Sequence, residues 1–158
     1  MTEARPVLIR RAEATDAVAI TELVADAYGR YVERIGRLPK PMTADQLAAV
    51  RDHEVWLAVD AVDDTLAGVL ELIVVPGSFF IENVAVAPSR QGVGLGRQLL
   101  DLAESEARRR GYDAIGLETN ERFVENLAIY ARRGYVETGR TLVGGTAVIQ
   151  LTKRLDDV

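Results

Sequence analysis

Residues 80–100 read FIENVAVAPSRQGVGLGRQLL. An alternating apolar stretch predicts a strand that Pro88 ends. Three glycines follow, at 92, 94 and 96, and then a helix with Leu95, Leu99, Leu102 and Ala103 on one face. A fold that accepts this segment must set a strand and a helix side by side and leave a glycine turn between them. Glycines let backbone N–H groups approach a ligand with no Cβ in the way. A helix N-terminus adds unpaired amide donors and partial positive charge. Together these make an anion site suited to a pyrophosphate.

Spacing narrows the ligand. A P-loop places Lys-Ser/Thr after its last glycine, whereas Arg97-Gln98 follows Gly96 here. That weakens a nucleotide-binding reading. The dinucleotide fingerprint G-x-G-x-x-G is not matched by Gly92, Gly94 and Gly96, which are spaced G-x-G-x-G. The strand before the loop also closes an expected antiparallel meander over residues 54–87, rather than opening a βαβ unit. In that meander Val55–Val59, Leu66–Val75 and Phe79–Ala87 are strands, and Pro76-Gly77 is a turn.

The flanks complete the pattern. Val7–Ile9 predicts a first strand. Thr15 reads as a cap for a helix whose apolar stripe is Ile20, Leu23, Val24, Ala27 and Tyr28. Prolines at 39 and 41 break it, and Thr43–Val50 reads as a second, shorter helix. After the glycine loop, Gly111 stops the helix, Ala114–Leu117 reads as a strand, and Asn120 as the cap of a helix that ends at Gly134. Tyr135–Thr138 and Ala147–Thr152 read as closing strands. The expected class is α+β, a mixed α/β sheet flanked by helices, in one domain spanning residues 1–158.

Composition excludes several chemistries. The chain has no cysteine and one histidine, His53. Disulfide scaffolds, cysteine-ligated metals, catalytic thiols and poly-histidine metal sites are therefore out of reach. A net charge of −5 without a basic block disfavours nucleic acid and anionic membranes. No apolar run approaches the ~18 residues of a membrane span. A cytoplasmic location is the expectation.

The run Gln91-Gly92-Val93-Gly94-Leu95-Gly96, read Q-x-x-G-x-G after Val84-Ala85-Val86-Ala87-Pro88, resembles the GNAT N-acetyltransferase superfamily. The resemblance extends through Gly111 and the segment Asn126–Tyr135 and includes Ile9-Arg10-Arg11-Ala12 near the N-terminus. It implies a three-layer fold and an acetyl-CoA-dependent transferase that acts by direct attack of an amine. A non-catalytic acyl-CoA-binding or sensor domain on the same fold is the alternative. By the same resemblance, the amides around Gln91, Gly92, Val93, Gly94, Leu95, Gly96 and Arg97 cradle the pyrophosphate. The backbone of Val84, Ala85 and Val86 pairs with the pantetheine arm. Tyr130 protonates the leaving thiolate, or is simply core. Asn126, four residues before it and on the same helix face, is a further cofactor contact. Many members carry asparagine seven residues before the tyrosine, where this chain has Phe123. A homodimer is a further expectation from the family.

The residues also offer a general base. Glu82 interrupts an apolar strand, and a carboxylate there needs a partner or a raised pKa. If the hairpin folds symmetrically on Pro76-Gly77, Glu71 faces Glu82. Two opposed carboxylates would drive one pKa up. Glu82 is the expected base, with Glu71 assisting or replacing it. His53 reads as a loop residue without a role. The basic, tyrosine-bearing segment Tyr28–Met42 reads as an acceptor wall or an exposed helix. The acceptor is a small-molecule or peptide amine, and a carboxylate on it would suit those cations.

Overall fold

A computed structural model describes residues 5–155. The elements run β1 (Val7–Arg11), α1 (Ala17–Tyr28), α2 (Val32–Ile35), α3 (Lys40–Thr43), α4 (Gln46–Asp52), β2 (Glu54–Asp60), β3 (Leu66–Val75), β4 (Ser78–Val86), α5 (Leu95–Arg109), β5 (Ala114–Asn120), α6 (Val124–Arg132), β6 (Val136–Val143) and β7 (Thr146–Arg154). All seven strands join one sheet in the order β1-β2-β3-β4-β5-β7-β6. Only β4 and β5 are parallel; every other neighbour pair is antiparallel.

Side-chain alternation on the strands divides the core in two. On one face Ile20, Leu23, Val24 and Ala27 of α1 meet Val55, Leu57, Val59, Val69 and Ala85. On the other, Leu95, Leu99, Leu100, Ala103 and Ala107 of α5 meet Leu70, Leu72, Ile81 and Ile115. These are the period-2 and period-3.6 patterns expected of half-buried strands and an amphipathic helix. No helix among the described residues is long and apolar enough to cross a membrane.

Three local expectations change. The helix start assigned to Thr15 is instead a one-turn 3₁₀ segment, Ala14–Asp16, in which the Asp16 carboxylate accepts the Glu13 N–H at 2.7 Å. The helix expected at Thr43–Val50 is α4, which starts later at Gln46, and a further one-turn helix, α3, forms at Lys40–Thr43 where the prolines were expected to leave a break. Asp45 caps α4 by accepting the Ala48 N–H at 3.1 Å. Asn120 is not a helix cap. It ends β5, where its Nδ2 donates to Thr146 Oγ1 at 2.8 Å and its Oδ1 accepts the Arg122 N–H at 2.9 Å.

Two features of the sheet position the site. The parallel contact between β4 and β5 is confined to Phe80↔Gly116 and Ile81↔Leu117. Beyond it the strands part, and residues 82–86 leave an open notch in the middle of the sheet. At that point β4 also carries a bulge. Val75↔Ser78, Val74↔Phe79, Ile73↔Phe80 and Leu72↔Ile81 follow the symmetric register, but the next pair is Glu71↔Asn83. Glu82 is the extra residue. The expected Glu71–Glu82 opposition is therefore wrong, because the bulge shifts the ladder by one residue just before it.

Candidate functional site

The ladder beyond the bulge decides which backbone groups face the notch. The Ala87 N–H donates to the Ala67 carbonyl at 2.9 Å, in register with Val69↔Ala85 and Glu71↔Asn83. In an antiparallel ladder such bonded pairs alternate with pairs whose N–H and C=O groups point the other way. Val84 and Val86 are the alternate residues. Their N–H and C=O groups point away from β3, into the notch beside β5. A ligand lying there can continue the sheet as an added strand.

A cavity of about 630 Å³ extends from this notch. Its walls include Val84, Ala85 and Val86 of β4, Gln91, Gly92, Gly94, Gly96 and Arg97 of the loop and α5, and Asn126 and Tyr130 of α6. Gly94 precedes α5 with φ +90° and Gly92 has φ +82°, a region that disfavours any Cβ. Gly96 is already helical. A Cβ there would meet nothing nearer than Val86 Cγ2 at 3.8 Å. The start of α5 thus lies open to the cavity. Two loop residues do not bring side chains to it. Val93 points to solvent and Leu95 is buried in the core, so any part they play is through the backbone. Arg90, between β4 and the glycine turn, holds the fully buried Asp60 at 2.6 Å.

A second cavity of about 380 Å³ lies on the other side of Tyr130. Lys40, Glu82, Glu118 and Arg37 line it, with apolar walls that include Ile35, Pro39, Phe123 and Val148. Four residues border both cavities: Tyr28, Val84, Asn126 and Tyr130. Tyr130 is 8% exposed and packs edge-on against Tyr135, with ring centroids 5.6 Å apart. Burial pushes its phenol up to about 12. It is a core residue that also borders both cavities. The Tyr28 hydroxyl donates to Asn83 Oδ1 at 2.8 Å and lies 3.2 Å from the Val84 carbonyl. Burial raises its phenol pKa as well. It pins the bulge to α1.

The two glutamates point to different partners. Glu82 Oε1 receives the Lys40 ammonium at 2.8 Å. That hydrogen bond and the adjacent charge raise the lysine's pKa. Glu71 is buried and bonds His53 Nδ1 at 2.6 Å through its Oε2. A third cavity, about 220 Å³, is lined by His53 and Glu71 and also by Glu82, Asn83 and Lys40. His53, read from sequence as a bystander, is thus the direct partner of Glu71. His53 immediately precedes β2, and Glu71 lies on the neighbouring strand β3 opposite Val55, a pairing that the spacing of residues 53 and 71 did not reveal.

Residues 18–135 match the family model described as "Acetyltransferase (GNAT) family". An IAA acetyltransferase of Azospirillum brasilense is 34% identical over 59 residues, a stretch covering 37% of this chain and 39% of that protein. Among solved structures, the ribosomal-protein-S18-alanine N-acetyltransferase of Escherichia coli superposes with a TM-score of 0.77 at 21% identity, covering 97% of this chain and 96% of that one. The PaiA N-acetyltransferase of Thermoplasma acidophilum, in complex with coenzyme A, gives 0.77 at 16% identity, covering 94% and 99%. At such identities the structural likeness bears on the fold alone.

Proposed function

The chain belongs to the GNAT acetyltransferase family, and on that premise we propose that it is an acetyl-CoA-dependent N-acetyltransferase with a small-molecule or peptide amine as acceptor. The observation that carries this reading is the meeting of two cavities at Tyr28, Val84, Asn126 and Tyr130. One has the features of a pyrophosphate and pantetheine site, and the other holds a carboxylate beside an ammonium.

The residues fit the cofactor. The outward N–H groups of Val84 and Val86 suit the carbonyls of a pantetheine arm, while their own carbonyls already accept from the Tyr28 hydroxyl at 3.2 Å and from Gln91 Nε2 at 3.1 Å and keep a second lone pair each. The open start of α5 between Gly94 and Arg97 offers N–H donors to a pyrophosphate. Arg97 and Arg132, which line the same cavity, add positive charge. When bound, acetyl-CoA supplies a thioester carbonyl for attack by an amine. The chain holds no cysteine to carry an acyl group, so the amine attacks directly.

Each side chain then has a proton to hold or move. Glu82 accepts a proton from the acceptor's ammonium and exposes the nitrogen lone pair. Lys40 Nζ, at 2.8 Å from Glu82, marks where an ammonium binds. The lysine side chain is 71% exposed, so an incoming amine can displace it. The Val84 N–H, facing the notch, polarises the carbonyl. Tyr130 gives its proton to the leaving sulfur; with a pKa of about 12 the phenol stays protonated at neutral pH. Glu71, bonded to His53, is the assisting carboxylate. It lies on the cavity that also reaches Glu82.

One observation favours a second reading, a non-catalytic acyl-CoA-binding domain: Lys40 already occupies the candidate base. A thiol-release assay separates the two. The protein is incubated with acetyl-CoA and a panel of amino acids, polyamines, aminoglycosides and peptides. Amine-dependent thiol release that falls at least about 100-fold in Glu82→Gln, with acetyl-CoA affinity retained, supports the enzyme. Binding without release for any amine supports the sensor.

A further inference from the structure

The acceptor cavity contains a cation, Arg37, that forms no ion pair with any carboxylate among the described residues. Arg37 follows α2 and lines the cavity with Lys40. Its Nη2 donates to the Val143 carbonyl at 3.2 Å and to Thr146 Oγ1 at 3.4 Å, which fastens the side chain to the β6–β7 turn. The turn is shaped to receive it. A Cβ added at Gly144 would stand 3.0 Å from Arg37 Nε and 3.2 Å from Cδ, closer than ordinary contact, so the arginine packs tightly on the turn and would have to shift by a few tenths of an ångström.

A guanidinium carries five N–H donors. Nη2 uses its two. Nε is buried without a partner, and Nη1 makes no hydrogen bond among the described residues. Nor does a described carboxylate come within ion-pair distance of Arg37. Four arginines elsewhere do have such a partner: Arg34 meets Glu125, Arg90 meets Asp60, Arg110 meets Glu54 and Arg133 meets Glu104, all at 3.0 Å or less. The charged groups of the cavity are Arg37, Lys40, Glu82 and Glu118. Lys40 and Glu82 neutralise each other. Glu118 is exposed and has no ion pair with Arg37. An anchored cation with unused donors, beside apolar walls, is a site for an anion brought by the ligand.

We propose that the acceptor is a small aminocarboxylate. Its ammonium goes to Glu82, its carboxylate to Arg37, and its apolar body against Ile35, Phe123 and Val148. The cavity, about 380 Å³, suits a molecule of amino-acid size. This rests on the N-acetyltransfer reading above and names the substrate class for it. The product keeps its carboxylate and loses the ammonium charge that Glu82 recognised.

Matched amine pairs test it, with and without the carboxylate: 4-(aminomethyl)benzoate against benzylamine, and L-phenylalanine against phenethylamine. Each is titrated calorimetrically into the protein with coenzyme A present, and each is assayed for kcat/KM by thiol release from acetyl-CoA. The expected result is at least a tenfold preference for the carboxylate in one pair. Arg37→Gln should collapse that ratio to within about twofold of unity, and Arg37→Lys should restore part of it. Equal binding of both members of both pairs overturns the proposal, as does a preference that survives Arg37→Gln. Should Arg37→Gln fold poorly, the ratio in the unaltered protein decides alone. Carboxylate-selective binding without turnover of any amine keeps the Arg37 site and overturns the transfer reading instead.

Discussion

Two glycines two residues apart should respond to alanine in opposite ways. Gly94 has φ +90°, where an L side chain costs about 1–2 kcal/mol. Gly96 lies within the first turn of α5, and an added Cβ would meet only Val86 Cγ2 at 3.8 Å, an ordinary contact. There alanine gains about 0.5–1 kcal/mol of helix propensity. For a domain of this size, 1 kcal/mol shifts Tm by about 2–4 °C. Gly94→Ala should therefore lower Tm by about 2–8 °C and Gly96→Ala should raise it by about 1–4 °C. Binding should separate as well. Distorting Gly94 misdirects the amides at the helix start, and acetyl-CoA affinity should fall about tenfold or more, whereas Gly96→Ala should stay within about threefold. Differential scanning calorimetry and acetyl-CoA titration read the two effects. Equal destabilisation by both substitutions would refute the loop geometry. Unchanged affinity in Gly94→Ala would remove the glycine turn from the cofactor site.

Other outcomes follow from the same geometry. Tyr130→Phe should cut kcat by about 10²-fold or more while acetyl-CoA binding stays within threefold, since general acid catalysis of this kind contributes ~10²–10⁴-fold; unchanged kcat in single-turnover mixing would return Tyr130 to a packing role. Lys40→Met removes the ammonium that competes for Glu82, so KM for small amines should fall severalfold; a rise would mean that Lys40 helps to hold the acceptor. Burial raises the phenols of Tyr28, Tyr130 and Tyr135, so the folded state holds these protons more tightly than the unfolded chain. Their contribution to stability is intact below pH 10, declines above it, and for Tyr130 is gone past about pH 12, at up to roughly 1.4 kcal/mol per group per pH unit. Urea midpoints at pH 8 and pH 11 measure this loss, and equal midpoints would contradict the burial assigned to these rings.

The strand–glycine–helix segment was legible because its information is local. Apolar alternation, Pro88 and the spacing of three glycines fix a strand, a stop and a helix start, and the structure places β4 and α5 there. The helix stops at Gly111 and Gly134, with φ +82° and +97°, were legible for the same reason. Glu82 could be singled out as a carboxylate in an apolar strand. What it faces could not, because a bulge depends on how β3 and β4 settle between two helical layers, and a shift of one residue replaces Glu71 by Asn83 as the cross-strand partner. The His53–Glu71 and Lys40–Glu82 contacts join residues 18 and 42 positions apart by number. No periodicity encodes such pairs. Asn120 shows the converse error: a good capping residue was taken up by β5 and Thr146 before a helix could use it.

The most direct measurement is calorimetric titration of acetyl-CoA into the purified chain, with Gly94→Glu beside it. One site per chain with micromolar affinity is expected, lost when a carboxylate is placed at the glycine turn. An absence of binding, or binding that Gly94→Glu leaves intact, would contradict it.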